Sequence, residues 1–329
     1  MNKKNPRFKQ RSRGKFFPAA ILLFSAILIF FGIRLAGCLF TSDEAADGDA
    51  ASKAASSPKR TINKDIADKV NKIAGSSVPP TSASLRTKQE TPLSSFQDCY
   101  YYESANREGY TRYQSLNPEM PPDEVVWRVN AGLDGEFYTD ITDISNPNDL
   151  YVVVNKRNRL SSSFIPDDMA ALPSGVSARK DAAEAYRRMA EAAARDGVIF
   201  IPQSGYRSYD YQNQLYTNYK ATDPGGADTY SARPGFSEHQ TGLAIDLNIP
   251  GSGNLRDFVG TEQAEWVSKN AHLFGFIVRY TEKNREITGY VSEPWHIRYI
   301  GAEHAAKMKE TGIISFEEYK VKYIDHQPE

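Results

Sequence analysis

Apolar positions fall into three regimes along the chain. From Phe16 to Ile33 they are nearly continuous, and after Arg34 the apolar character resumes through Phe40. From Thr41 to about Ser95 they almost disappear among Ala, Ser, Asp, Lys, Thr and scattered Pro. From Phe96 onward they recur at the spacings of helices and strands. A run of roughly twenty apolar residues is long enough to cross a bilayer as a helix. A tract without long apolar or aromatic side chains buries too little surface to offset its ordering entropy. The pattern therefore predicts an anchor over residues 16–40, a disordered linker over 41–95 and an ordered part beyond. Within the linker, Ile62, Ile66, Val70 and Ile73 recur at helical spacing and predict a weak helix over Thr61–Ile73.

In the ordered part, residues 102–116 read as a helix. Pro121 and Pro122 followed by Asp123 and Glu124 open a second helix through Val129. Tyr151–Val154 is a β-branched run of strand length. Ser177 is the expected cap of a long helix through Arg195, with Gly197 as its stop. Strands are expected at Val198–Ile201, Leu243–Ile249 and His296–Ile300. Helices are expected from Ser208 to about Tyr219, from Thr261 to Phe274, and as short pieces starting at Ala302 and Ser315. Helices and strands mix without regular alternation, so the predicted class is α+β: a compact domain with mixed helices and a small sheet. A helical N-terminal extension over residues 96–148 precedes the main domain at 149–325.

Charge sets the orientation of the anchor. Residues 1–15 carry Lys3, Lys4, Arg7, Lys9, Arg11, Arg13 and Lys15 and no acid, which keeps this segment cytoplasmic and places the rest of the chain outside the membrane. Leu35-Ala36-Gly37-Cys38 resembles a bacterial lipobox. Arg34 interrupts the apolar run before it, and the run exceeds a signal-type core of about 7–15 residues, so an uncleaved transmembrane helix fits better. Both chemistries put the domain on the same side.

The formal net charge is −1. Beyond the basic N-terminus there is no basic stripe or stacking platform, so no nucleic-acid partner is expected. There are two cysteines, Cys38 and Cys99, which exclude a disulfide framework and a thiolate zinc site.

Chemistry-bearing residues gather in two stretches, Ser237-Glu238-His239-Gln240-Thr241-Gly242-Leu243-Ala244-Ile245-Asp246 and Glu293-Pro294-Trp295-His296. A catalytic metal needs three N or O ligands and an open position for water, and His239, Asp246 and His296 supply such a set. In a strand, Leu243, Ile245, Leu247 and Ile249 face the core, so Ala244, Asp246 and Asn248 face the other way. A carboxylate among apolar neighbours needs a compensating partner, and a cation is one. Two neutral imidazoles and one carboxylate leave a divalent ion net positive, a better Lewis acid than a more anionic site would give. Glu293, three residues before His296, is the expected base if a tight turn brings it to the metal. Arg207 in Ser204-Gly205-Tyr206-Arg207-Ser208 is the expected cation for an oxyanion. Taken singly, each residue has an ordinary explanation: a loop histidine, an edge aspartate, a salt-bridging arginine. The set also admits divalent ions other than zinc.

These three stretches, in this order, resemble the VanY-like D-alanyl-D-alanine carboxypeptidases and the related L,D-carboxypeptidases, over about Tyr151 to Gly301. The resemblance implies a peptidase domain at 149–325 with one Zn2+ on His239, Asp246 and His296. It implies Glu293 as catalytic base and Arg207 as a substrate or transition-state contact, with Ser237 and Gln212 at substrate-binding positions. It implies release of terminal D-alanine from peptidoglycan stem peptides. An aromatic Tyr often precedes the motif Glu in relatives; Ser292 stands there in this chain, so that a substrate-wall contact is either lost or supplied by Tyr290. Alternatives are an L,D-carboxypeptidase, an endopeptidase on wall peptides, a non-catalytic wall-peptide-binding module and a structural spacer.

Overall fold

The computed structural model describes residues 95–327. The basic segment 1–15, the expected anchor at 16–40 with Cys38, and the linker with its Thr61–Ile73 helix lie outside the described residues. The described part opens with two helices, α1 (Arg107–Leu116) and α2 (Pro122–Asn130). Val125, Val126 and Trp127 of α2 pack with Tyr110 of α1, Cys99 and Tyr101. Ile287 and Val321 from later in the chain join the same cluster, so these helices lie against the main body. Burial pushes the Cys99 thiol up to about 11, as expected of an inert core cysteine.

Eight strands follow: β1 (Thr142–Asp143), β2 (Asn158–Arg159), β3 (Met169–Ala171), β4 (Ser177–Arg179), β5 (Ile201–Ser204), β6 (Ala244–Asn248), β7 (Phe276–Tyr280) and β8 (Glu293–Tyr299). The first four form two small pairs. The last four form one antiparallel sheet in the order β5-β6-β8-β7. One face of this sheet carries Ile245, Leu247, Phe276 and Ile297. It packs on helix α3 (Lys180–Arg195), whose Ala182, Ala185, Tyr186, Met189 and Ala193 make a continuous apolar stripe. Trp266 of helix α5 (Glu262–Asn270) closes this core. The other face carries the polar residues considered below.

Several expected elements are where the pattern put them. Ser208 caps helix α4 (Tyr209–Thr222) by accepting from Tyr211 N, and Thr261 caps α5 by accepting from Ala264 N. Ser315 caps the short helix at Phe316–Tyr319, and Ala302 begins the helix at Ala302–Thr311.

Others differ for identifiable reasons. Ser177 does not cap α3; it belongs to β4, pairs with Ala171, and its carbonyl accepts from Tyr206 N at 2.7 Å. Gly205 permits that approach, since a Cβ there would meet the Ser177 carbonyl oxygen at 2.2 Å. In Tyr151–Val154 the three valines are buried and Tyr151 partly so, but the run joins no ladder. The Arg298 guanidinium stands in for a neighbouring strand, donating to the carbonyls of Leu150 at 3.0 Å and Val152 at 2.8 Å. The strand expected at Val198–Ile201 starts at Ile201 instead. Val198 N donates back to Ala193 O at 2.9 Å, so that residue still closes the helix end.

Candidate metal centre

Sheet register builds the site. Asp246 on β6 lies opposite Ser204 on β5 and His296 on β8. Directly opposed residues share a face, so a carboxylate and an imidazole from positions fifty residues apart meet without loop geometry. His296 Nδ1 lies 3.0 Å from Asp246 Oδ1. His239 arrives from a short 3-10 turn, Glu238–Thr241, that ends at Gly242 with φ +69. That left-handed residue, which glycine adopts without strain, turns the chain from the histidine into β6. His239 Nε2 then lies 3.1 Å from Asp246 Oδ2, and the two imidazole rings stand edge to face with centroids 4.9 Å apart. The donor atoms of His239, Asp246 and His296 all lie within 4.8 Å of one another, and all three residues are buried.

Each imidazole is oriented by its second nitrogen. His239 Nδ1 meets the Gly205 carbonyl oxygen at 2.7 Å, which directs Nε2 to the cluster. His296 Nε2 meets Glu238 Oε2 at 3.3 Å, which directs Nδ1 to the cluster. Such outer partners fix tautomer and ring angle in metal sites. Burial and the Arg207 charge push His239 down, keeping it neutral. Burial also opposes a charge on His296, but hydrogen bonds to Asp246 and Glu238 outweigh it and raise the imidazole to about 9. Asp246 is held far below the usual carboxylate range by the two histidines despite its burial. Two imidazoles and a carboxylate, each braced from behind, are the donor set of a catalytic zinc site.

Glu293 lines the same cavity of about 510 Å3 as the three donors, together with Arg207, Ser237 and Gln212. It sits at the start of β8 rather than in a turn. In a regular strand, positions three apart point to opposite faces. Here Val278 pairs with Ile297 and Tyr280 with Glu293, so β8 carries extra residues that let Glu293 and His296 line one cavity. Burial pushes the Glu293 carboxyl up to about 7, with Asp246 adding to the rise and His296 and Arg207 opposing it. Arg207 is fixed by three partners: Asp246 Oδ2 at 3.1 Å, Ser204 Oγ at 3.1 Å and Gln212 Oε1 at 2.9 Å. Gln212 is in turn anchored through its amide nitrogen to the Ala232 carbonyl at 2.7 Å. Ser237 is buried at the cavity wall, next to the histidine turn.

The structure also shows a group that sequence reasoning missed. Glu238 accepts from Arg279 Nε at 2.9 Å and from Arg298 Nη1 at 2.9 Å. Arg279 also reaches both oxygens of Glu317, at 3.1 Å and 2.7 Å. All four side chains are essentially fully buried beneath the metal donors. Burial alone would raise the Glu238 carboxyl, but the two guanidiniums hold it well below the usual range. The one local hint was a single arginine beside the last aromatic residue of each of two runs, Arg279 in Phe276–Tyr280 and Arg298 in Glu293–Tyr299.

Fold and site together define the class of a metal-dependent hydrolase: three braced donors, a carboxyl raised to about 7 at the same cavity and a fixed guanidinium. Comparison with known proteins gives the family. A model for D-alanyl-D-alanine carboxypeptidases, VanY, matches residues 175–302. The Bacillus subtilis protein YodJ is 36% identical over 212 residues, covering 58% of this chain and 77% of its own length. A D-alanyl-D-alanine carboxypeptidase of Enterococcus faecium is 38% identical over 149 residues, 45% of each chain. The solved LdcB LD-carboxypeptidase superposes with TM-score 0.50 and 34% identity, over 55% of this chain and 90% of its own. The chain belongs to the VanY family of D-alanyl-D-alanine carboxypeptidases, which makes it a zinc carboxypeptidase by family and by donor set.

Proposed function

We propose that this chain removes the terminal D-alanine of peptidoglycan stem peptides, outside the cytoplasmic membrane, while tethered by its N-terminal anchor. The observation that carries the proposal is the shared cavity: the three donors of the cluster and the Glu293 carboxylate line one space. His239 Nε2, Asp246 and His296 Nδ1 would hold the zinc. When bound, it supplies a Lewis acid that polarises the scissile carbonyl and acidifies an attacking water. Glu293 takes the proton of that water and delivers it to the leaving amine, and a carboxyl raised to about 7 is matched to both halves of this task near neutral pH. Arg207 offers a preset cation to the developing oxyanion; its three bonds mean that no reorganisation is needed as charge develops. Gln212 positions Arg207, and together with Ser237 forms the wall against which the peptide lies.

The anchor reading rests on the apolar run at 16–40 behind the basic residues 1–15. Cell fractionation with a Cys38→Ala variant tests it. Membrane retention of the variant supports a transmembrane helix, release supports a lipid on Cys38, and a cytosolic parent protein contradicts the anchor altogether.

The likeness to an LD-carboxypeptidase keeps a second substrate within the same chemistry, a tetrapeptide stem cut at an L,D bond. Mass spectrometry of synthetic pentapeptide and tetrapeptide stems, with and without chelator, tests both. Loss of one alanine from the pentapeptide that chelator abolishes is the expected result. Loss from the tetrapeptide alone moves the specificity to L,D, and internal cleavage moves it to an endopeptidase. A zinc-loaded protein that leaves every stem intact contradicts the peptidase reading.

A further inference from the structure

The catalytic cavity extends past the metal donors along a wall made by Tyr211, Leu215 and Tyr219 of α4 with Tyr230 and Val291. Residues four apart on a helix share a face, so the α4 trio forms one stripe. Tyr211 and Tyr219 remain 53% and 43% exposed, which leaves an aromatic surface open to a ligand. Two guanidiniums line the whole cavity among the described residues, Arg207 and Arg256. Arg207 is engaged by Asp246, Ser204 and Gln212. Arg256 forms no ion pair or side-chain hydrogen bond among the described residues, although it stands at a cavity that also holds Glu293.

Its backbone is nevertheless fixed. Arg256 lies in a 3-10 turn, Leu255–Phe258, in which Asn254 Oδ1 accepts from Arg256 N at 3.1 Å. Ser252 Oγ donates to Asp257 Oδ2 at 2.6 Å, and Phe258 is fully buried in the core behind the turn. A rigid turn thus presents one unneutralised cation to the cavity. Arg256, Glu293 and Tyr230 line the same cavity, so the cation shares one space with the acid–base carboxylate and the tyrosine wall.

A carboxypeptidase differs from an endopeptidase in requiring a free carboxylate on its substrate. Guanidinium groups bind carboxylates through paired, charge-assisted hydrogen bonds, and one without a protein partner is available for that role. We propose that Arg256 reads a carboxylate of the wall peptide and so acts as a specificity-determining residue of this cavity. The inference rests on the peptidase reading above and adds the chemical feature that the substrate must carry. The carboxylate is either the C-terminal one beyond the scissile bond or a side-chain carboxylate upstream of it. Both offer the same group to the same cation.

The test uses the full chain and its Arg256→Gln and Arg256→Lys variants, with three peptides: fully acidic, amidated at the C-terminus, and amidated at the upstream side chain. Peptides that are not cleaved are measured as competitive inhibitors. On the acidic peptide, Arg256→Gln should raise KM about tenfold or more with kcat within about threefold, as loss of a charged hydrogen bond predicts. Arg256→Lys should recover part of the loss. The penalty should vanish on whichever amidated peptide lacks the carboxylate that is read, and this identifies its source. An unchanged KM on the acidic peptide overturns the proposal. So does an equal loss on all three peptides, which would mean a general disturbance of the cavity. A zinc-loaded parent enzyme that cleaves none of them fails at the earlier step, the peptidase reading itself.

Discussion

Two buried clusters of ionisable side chains lie one behind the other, and their charges are balanced in opposite ways. In the deeper one, Glu238 and Glu317 face Arg279 and Arg298, two acids against two guanidiniums with direct bonds throughout. In the outer one, Asp246 and Glu293 meet two imidazoles and a single arginine that is already tied to Asp246. The deeper cluster is complete in itself. The outer one has no such matched set: Asp246 and two imidazole nitrogens converge within 4.8 Å of one another, an arrangement that a cation completes. Buried charge that is matched within the protein holds structure in place; buried charge left unmatched beside a cavity marks the place where a ligand completes it. Glu238 joins the two, since one of its oxygens serves the arginines and the other orients His296.

The largest expected effects break the outer cluster. Asp246→Ala or His239→Ala should abolish turnover and metal binding together while the fold persists, as circular dichroism would show. Glu293→Gln should cut kcat by about 10²–10⁴-fold with metal content intact, because it removes proton transfer and no donor.

Breaking the deeper cluster should act first on stability. Arg279→Met leaves two acids buried with too few partners and should cost about 3–5 kcal/mol in a denaturant melt. Glu238→Gln should do both: destabilise the protein and weaken metal affinity by about 10–100-fold, through the lost brace on His296. A Glu238→Gln protein with normal metal affinity would separate the clusters and remove the link drawn here.

A smaller effect comes from pH. In the proposed mechanism Glu293 works as a carboxylate, and burial pushes its carboxyl up to about 7, so kcat should fall as pH drops through that region. The fall should be absent from the residual activity of Glu293→Gln. The smallest effect lies outside both clusters. Hydrogen bonds from Arg233 hold the Asp228 carboxyl at about 2 against burial, with help from Tyr216. A depressed carboxylate contributes stability above its unfolded pKa near 4 and loses it as pH falls through its folded value. Asp228→Asn should therefore lower stability at neutral pH by about 1 kcal/mol, discounted for partial exposure, and flatten acid unfolding between about pH 4 and 2.

The contrast between the clusters also explains what the sequence revealed. The outer cluster was legible because its chemistry is concentrated in short stretches: His239 and Asp246 lie seven apart, Glu293 and His296 three apart. The deeper cluster joins residues 41, 60 and 38 positions apart, a pairing set by sheet register and by the C-terminal helix. No local pattern encodes such distances. The same limit applies to the elements. Helix caps at Ser208, Thr261 and Ser315 are local and were read directly. The strand Phe276–Tyr280 was missed, and Tyr151–Val154 was taken for a strand, because both outcomes depend on Arg279 and Arg298 being buried. The bulge that brings Glu293 beside His296 was likewise invisible, and a turn was expected in its place.

The central claim is that the outer cluster is an incomplete charge set finished by zinc. Metal analysis of the purified protein beside its Asp246→Ala and Glu293→Gln variants tests this most directly. The account predicts about one zinc per chain in the parent and in Glu293→Gln and almost none in Asp246→Ala. A parent protein that binds no zinc, or an Asp246→Ala protein that binds as much as the parent, would contradict it.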